Sequence, residues 1–179
     1  MAYIPYPEDL NHPDIRDLAN QIKAERGGRV NNLYRMLLNS PPIASGWLHL
    51  LTAIRQQSIL SGKYREMTIL RIALVNRADF EFTAHVPFAL KEGMSQLQID
   101  QVNDWKNSLE FSEVEQAVLA YSDAMTLEVQ VSTEIFDRLR PHFNTREITE
   151  LTATIASYNM VSRFLSALNV DHQEALKLV

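Results

Sequence analysis

Glycine and proline are scarce in this chain, and they fall where helices should end. The sequence contains 5 glycines and 7 prolines among 179 residues. Residues 13–26 begin with a proline and stop at Gly27 and Gly28, which are start and stop signals of a helix. Residues 31–39 stop before two prolines, because proline disfavours helical backbone in the residue before it. This punctuation predicts a series of helices joined by short connections.

The segments between these breaks carry apolar residues at helical spacing. Residues 43–57 repeat them every three or four positions, which predicts an amphipathic helix whose unit ends at Gly62. Residues 65–76 are apolar on most sides, and we expect a central, buried helix there. Because no segment alternates apolar and polar residues as a strand would, the predicted fold class is all-α. Further helices are expected at residues 80–92, 95–105, 112–126, 132–139 and from 145 to at least 168.

The composition excludes several classes of function. A net charge of −5 without any run of lysine or arginine argues against nucleic-acid binding and against a basic membrane-binding surface. The absence of cysteine excludes disulfides, thiolate metal sites and thiol redox chemistry within the chain. The longest aliphatic stretch, residues 72–75, is too short to span a bilayer, and the first residues lack the features of a secretory signal. We expect a soluble, cytoplasmic protein with a single domain over residues 1–179, of which residues 1–29 form a helical N-terminal extension.

An acid and an imidazole give the strongest indication of function. Glu81 and His85 are four residues apart in a predicted helix, so they share one face, which is otherwise apolar. Burying both is costly unless they pair or act on something. Glu66, in the preceding helix, could join them if the two helices pack antiparallel, and such a trio is suited to general acid–base catalysis. The plainer alternatives are a first-turn carboxylate favoured by the helix dipole at Glu66 and an ordinary surface pair at Glu81 and His85.

Two other patterns concern metals and the last helix. The Glu-x3-His spacing differs from that of di-iron bundles and of His-Glu-x-x-His sites, and the other histidines are isolated, so no metal is expected. In the last helix, Tyr158, Asn159 and Arg163 lie among apolar residues. We interpret them as a buried polar network that fixes helix register. The alternative is that Arg163 or Tyr158 binds an anionic ligand.

A weak internal repeat relates the two halves of the chain. Residues 64–70 resemble residues 145–151, with Arg65 and Arg146 standing 81 positions apart. The similarity indicates either a duplication or two unrelated helix starts of similar composition. The acid and the imidazole do not repeat, because the positions equivalent to Glu81 and His85 are Ser162 and Ser166.

Two motifs in the chain carry a family resemblance. The central one is Arg65-Glu66-x3-Leu70, then Glu81-x3-His85, Ala89 and Gly93, and the second is Tyr158-Asn159-x3-Arg163-Phe164. With the first motif, the chain resembles the carboxymuconolactone decarboxylase and alkylhydroperoxidase D superfamily over roughly residues 30–170, and the second is similar to the longer, cysteine-free members. The resemblance implies an all-α fold of packed helices that assembles into trimers or hexamers, with the site near a subunit interface.

The resemblance also implies roles for individual residues. Glu66 and His85 match the glutamate and histidine of the superfamily, whereas Ala78 and Glu81 stand where its peroxidase branch has two cysteines. The chain thus lacks that branch's nucleophile. The decarboxylase branch has a similar glutamate-and-histidine pattern without the two cysteines, although this chain is longer than the simple decarboxylases. We expect a cofactor-free acid–base enzyme, a lyase or isomerase, acting on a small anionic molecule such as a lactone. In this hypothesis His85 transfers a proton, Glu81 orients it and Glu66 is a second acid or base. The alternatives are a non-catalytic oligomeric binding protein and, less favoured, peroxide reduction with an external thiol.

Overall fold

A computed structural model describes residues 1–170 of the chain. This part of the chain contains nine α-helices and no strand, which confirms the predicted all-α class. Two π-helical turns, Ala53–Gln57 and Ala124–Glu128, extend the third and seventh helices, and a 3₁₀-helix, Val102–Asn107, follows the sixth. The helices are α1 (Arg16–Glu25), α2 (Asn32–Leu37), α3 (Pro41–Thr52), α4 (Gly62–Val75), α5 (Asp79–Lys91), α6 (Gln96–Gln101), α7 (Glu113–Asp123), α8 (Thr133–Asp137) and α9 (Thr145–Ala167).

The chain divides into two compact units. The first unit consists of residues 1–57 together with the described residues from 164 onward, and the second consists of residues 58–163. In the first unit, α3 packs against α1 and α2 around buried apolar side chains. Arg26 is held there by a hydrogen bond of 2.8 Å from its guanidinium to the Thr52 hydroxyl. Within the predicted N-terminal extension, the α-helix is confined to α1.

The second unit is built around α4, as the sequence predicts for its most apolar segment. α4 packs against α5 and α7, and its residues Met67 and Leu70 are buried in an apolar cluster. The cluster also contains Trp105 from the 3₁₀-helix and Leu119 from α7. At about 25 cal/mol per Å² of buried apolar surface, such a cluster is the main source of stability for the unit. α4 and α5 are thereby held side by side, which positions the groups described below.

Local signals in the sequence placed most helix ends correctly. The predicted capping box is present, since the Gln98 amide donates to the Ser95 hydroxyl and the Gln98 side chain accepts from the Ser95 amide. Gly93 follows α5 with φ of 96°, a left-handed conformation that favours glycine. Gly62 was predicted to end the helical segment that contains residues 43–57. That prediction was wrong, because Gly62 is the first residue of α4. The Glu92 carboxylate lies over Gly62, in the space that a Cβ would occupy.

None of the helices in residues 1–170 combines the length and the apolar character needed to cross a bilayer.

Candidate active site

Three ionisable side chains of the second unit are almost completely removed from solvent. Glu66 on α4 is 1% exposed, and Glu81 and His85 on α5 are 2% and 8% exposed. A buried ionisable group must be paired or neutralised, because burial in an apolar medium disfavours its charged form. The structure satisfies this requirement differently for the two glutamates.

Glu66 and His85 form a buried pair between α4 and α5. His85 Nδ1 lies 2.7 Å from Glu66 Oε2, and Arg65 Nε donates to Glu66 Oε1 at 3.1 Å. Burial acts to raise the pKa of Glu66, but the hydrogen bonds and charges of His85 and Arg65 outweigh it and hold that pKa below 4.5. Glu66 is therefore ionised at neutral pH and can only accept hydrogen bonds.

The charge of Glu66 fixes the tautomer of His85. Because an ionised carboxylate has no proton to donate, Nδ1 of His85 must carry the proton in their shared hydrogen bond. In the neutral imidazole, Nε2 is then the basic nitrogen. Aromatic rings hold the imidazole from the side: Tyr158 lies edge-on at 5.3 Å between ring centroids, and Phe88 lies at 5.8 Å. His85 is thus oriented by a carboxylate and packed by aromatic rings.

Glu81 lies one helical turn before His85 but has a different partner. Ser162 on α9 is within hydrogen-bonding distance of Glu81 Oε2. Burial raises the pKa of Glu81 to about 8, and the hydrogen bond with Ser162 only partly opposes this effect. At neutral pH Glu81 is therefore mostly an uncharged carboxylic acid. The site contains one ionised and one neutral glutamate.

A polar network accompanies the site at the carboxyl end of α4. The side chain of Asn159 on α9 donates to Thr126 at 2.9 Å and accepts from Asn76 at 3.0 Å. Arg163 donates to the same Asn159 oxygen at 2.6 Å. Asn159 is 7% exposed, whereas Arg163 lies at the surface. The network joins α4, α9 and the π-helical turn that follows α7. This is the arrangement expected of a polar network that fixes the register of the helices.

The structure brings the predicted residues together in a different pairing. Sequence reasoning assigned the orientation of His85 to Glu81, but Glu66 holds Nδ1 instead. Glu81 is next to Ser162, which sequence reasoning did not select as a site residue. A signal was available, because Ser162 is the position equivalent to Glu81 in the 81-residue repeat. The catalytic roles of Glu66, Glu81 and His85 remain predictions.

Metal-binding clusters and open clefts were compared with the position of this pair within residues 1–170. Among residues 1–170, no three His, Asp or Glu side chains converge as a metal site would require. Two open clefts, of about 350 Å³ and 380 Å³, lie in the first unit and are lined by residues 1–6 and by a set between residues 7 and 41. Neither cleft includes His85.

Comparisons with known proteins agree on the family. The sequence profile of the carboxymuconolactone decarboxylase family matches residues 41–124. The uncharacterized protein YnjA of Escherichia coli K12 is 32% identical over 131 residues, which is 72% of this chain and 68% of YnjA. The crystal structure of an Agrobacterium tumefaciens protein of unknown function, a putative antioxidant defence protein AhpD, has a TM-score of 0.72 at 26% identity. The match covers 76% of this chain and 94% of the Agrobacterium tumefaciens chain.

The chain belongs to the carboxymuconolactone decarboxylase and AhpD-like superfamily. A third relative shares the fold over almost the whole chain. The debrominase Bmp8, crystallised as a single-residue variant in complex with 2,3,4-tribromopyrrole, has a TM-score of 0.78 and 15% identity and matches 99% of this chain and 98% of its own. At that identity the likeness shows the fold alone.

Proposed function

We propose that this protein is a cofactor-free acid–base enzyme, a lyase or isomerase that acts on a small anionic organic molecule such as a lactone or a keto acid. The observation that carries the proposal is the 2.7 Å contact between His85 Nδ1 and the buried, ionised Glu66. A carboxylate at one ring nitrogen orients the imidazole and increases the basicity of the other nitrogen. Such an imidazole is suited to proton transfer near neutral pH.

In the proposed reaction, Nε2 of His85 exchanges a proton with the carbon next to a substrate carbonyl. For an isomerisation, the C–H bond breaks, its electron pair moves toward the carbonyl oxygen, and the proton goes to Nε2, which then gives a proton to another carbon of the enolate as the carbonyl forms again. For a decarboxylation, His85 starts protonated: the bond to the carboxylate breaks, carbon dioxide leaves, and the electron pair moves toward the carbonyl oxygen. Nε2 then donates its proton to the same carbon and takes another from water. Glu66 stays ionised in both cases and stabilises the imidazolium form of His85.

The anionic substrate class is supported by α9. Tyr158 packs against the His85 ring, and Arg163 on the same helix presents a surface guanidinium while it holds Asn159. A guanidinium matches the geometry of a carboxylate, so Arg163 is the proposed anchor, and Tyr158 is a second candidate. The neutral state of Glu81 suits an anionic substrate, because it adds no second negative charge to the one that Glu66 already places beside His85.

The proposal includes a homo-oligomer, a trimer or hexamer as the superfamily resemblance implies, located in the cytoplasm. Its structural support is that α5 leaves two large apolar side chains exposed after His85: Phe88 and Leu90 are 44% and 43% exposed. They lie on different sides of the helix, and a neighbouring chain that covered either one would bury apolar surface. Sedimentation equilibrium of the purified protein measures the assembly directly, and a monomer at all concentrations would contradict it.

Deuterium exchange at substrate carbon tests the catalytic proposal. The protein is incubated in D₂O with a panel of lactones and keto acids, and loss of the proton next to the carbonyl is followed by NMR. We expect exchange or decarboxylation for at least one class. Because general acid–base catalysis contributes roughly 10²–10⁴-fold, His85→Gln should lower the rate by that factor. Glu66→Gln should also lower it, since the tautomer and orientation of His85 would no longer be fixed.

The matched control is His142→Gln, which makes the same substitution at an exposed histidine on the connection before α9. Equal rates in the wild type and in His85→Gln would refute the proposal. Absence of reaction across the panel, with saturable binding retained, would instead favour the non-catalytic binding protein.

A further inference from the structure

Glu81 is a buried carboxyl group that the proton transfer at His85 does not use. It is 2% exposed, and the described residues place no cation against it. Its side chain leaves α5 four residues before His85, at a spacing that puts Cβ atoms about 5–6 Å apart. A carboxyl group in this position costs folding free energy in its charged form, so its retention needs an explanation.

The hydroxyl of Ser162 determines what Glu81 can do. Ser162 Oγ lies 2.9 Å from the Tyr158 carbonyl oxygen and also contacts Glu81 Oε2. A hydroxyl has one proton, and a carbonyl oxygen can only accept. When Ser162 donates to Tyr158, Glu81 must donate to Ser162. When Ser162 donates instead to Glu81 Oε2, that oxygen accepts whether Glu81 is ionised or neutral. The first arrangement therefore requires a neutral Glu81. In the second, burial keeps Glu81 mostly neutral at neutral pH, and its proton then resides on Oε1.

The second oxygen of Glu81 is the unusual feature of the site. Oε1 is buried and has no hydrogen-bond partner among the residues that the structure describes. Buried polar atoms without partners are rare, because each costs about 1–3 kcal/mol of desolvation. A neutral acid oxygen of this kind can donate to a ligand oxygen once the Ser162 proton faces Oε2. The cost of leaving Oε1 unpaired is then recovered when a ligand binds.

We propose that Glu81 is a catalytic residue that donates a hydrogen bond through Oε1 to the carbonyl oxygen of an enolisable substrate. The inference rests on the proposed function, and it narrows the substrate class to compounds with a carbonyl next to the reacting carbon. When the bond to the α-carbon breaks, its electron pair delocalises onto that carbonyl oxygen. The Glu81 hydrogen bond strengthens as this negative charge develops, while the proton transfer itself takes place at His85.

Two substitutions at Glu81 distinguish a donor from a base. Glu81→Met removes the hydrogen-bonding group at similar volume, and Glu81→Gln retains a donor but cannot ionise. Loss of one donor to a developing oxyanion costs roughly 10²–10³-fold in kcat, and we expect this loss for Glu81→Met. Glu81→Gln should lose no more than about tenfold, because its amide still donates. Glu110→Met and Glu110→Gln are matched controls at an exposed glutamate.

The pH dependence of kcat gives a second test, because a purely structural role of Glu81 would not change it. In the wild type, kcat should decline as the pH rises through about 8, because Glu81 then loses the proton it donates. Glu66 and His85 also belong to this cluster, and Tyr158 and Ser162 face it from α9. In Glu81→Gln, the decline of kcat near pH 8 should disappear, and only that part of the pH profile should change. An unchanged alkaline limb would overturn the assignment.

The kinetic outcomes separate this inference from the proposed function. Equal impairment of Glu81→Gln and Glu81→Met would show that Glu81 acts as an ionised base, and wild-type rates in Glu81→Met would show that it does not act at all. Either result overturns the inference, while the exchange defect of His85→Gln still supports the proposed function. If His85→Gln exchanges normally, the proposed function fails first.

Infrared spectroscopy of bound ligand tests the hydrogen bond without turnover. The probe is γ-butyrolactone labelled with ¹³C at the carbonyl, added to wild type, Glu81→Gln and Glu81→Met. A donor at Oε1 should shift the carbonyl stretch of bound probe to lower frequency in the first two proteins and not in the third. The same frequency in all three, or no bound band in wild type, would overturn the inference even if Glu81→Met folds poorly.

Discussion

Two glutamates in one site differ in charge although both are almost fully buried. Glu66 is 1% exposed and Glu81 is 2% exposed. Glu66 has Arg65 and His85 as partners and its pKa lies below 4.5, whereas Glu81 has a serine hydroxyl and its pKa lies near 8. Burial is therefore the same in the two places, and the partners decide the protonation state.

This difference gives each glutamate a separate chemical capability. An ionised Glu66 can orient His85 and stabilise an imidazolium, but it cannot donate a proton. A neutral Glu81 can donate a hydrogen bond, and it adds no negative charge beside the imidazole. Pairs of carboxyl groups whose environments push their pKa values apart are a general way of dividing acid and base roles.

Removing Glu66 should cause the largest loss of stability. Glu66→Met leaves Arg65 and His85 without their shared anion, and breaking a buried ion pair by removing one partner costs about 3–5 kcal/mol. Urea denaturation at neutral pH measures the loss. The control is Glu92→Met, which removes the other carboxylate near Arg65, at 3.5 Å and half exposed. That change should cost less than about 1 kcal/mol. Equal losses would contradict the distinction between a buried and a surface pair.

Removing the charge of Glu81 should stabilise the protein at alkaline pH. The folded-state pKa of about 8 is raised above the unfolded value of 4.5, so the favourable contribution of Glu81 is complete below pH 4.5 and is lost as the pH rises through 8. At 1.36 kcal/mol per pKa unit, the loss amounts to as much as about 5 kcal/mol. Glu81→Gln should therefore be more stable than wild type at pH 9, with a flatter dependence between these limits.

Denaturant midpoints measured from acidic to alkaline pH check this prediction. Glu110→Gln, at an exposed position, should follow the wild-type curve at every pH. A Glu81→Gln protein that is less stable than wild type at alkaline pH would mean that Glu81 is ionised and paired in the folded state.

The Asn159 network should show a smaller effect that separates packing from binding. Asn159→Leu leaves the polar groups of Asn76 and Thr126 without a buried partner, which costs about 1–3 kcal/mol. Arg163→Met removes a surface partner and should change stability by less than about 1 kcal/mol. If Arg163 anchors an anionic substrate, Arg163→Met raises KM while stability stays near wild type. Unchanged KM would leave Arg163 with a structural role only.

The smallest effect is expected at Gly62, the first residue of α4. A Cβ there would meet the Glu92 carboxylate, but Glu92 is a surface side chain that can move aside. Gly62→Ala displaces the Glu92 carboxylate from Gly62, which is unfavourable, but alanine has a better helix propensity than glycine. Because these two effects oppose each other, the substitution should change the free energy of unfolding by less than about 1 kcal/mol. Thermal denaturation measures it. A loss of several kcal/mol would show that Glu92 is fixed more firmly at this helix start.

The sequence predicted the helices and the Glu66–His85 neighbourhood because both depend on local patterns. Capping residues and glycine mark the ends of α5 and α6, and a short connection holds α4 beside α5. The partner of Glu81 could not be predicted in this way, since Ser162 is 81 residues away and periodicity shows which face is buried, not which helix covers it. The raised pKa of Glu81 follows from its burial among these elements, and the structure places Glu66 rather than Glu81 at Nδ1 of His85.

The most direct test of the central claim is a ¹³C NMR titration of the glutamate side-chain carboxyl carbons, with Glu66→Gln and Glu81→Gln used to assign the two signals. We predict that Glu81 is protonated at neutral pH and titrates near pH 8, while Glu66 is already ionised and titrates below 4.5. Two carboxylates that are both ionised at neutral pH would contradict it.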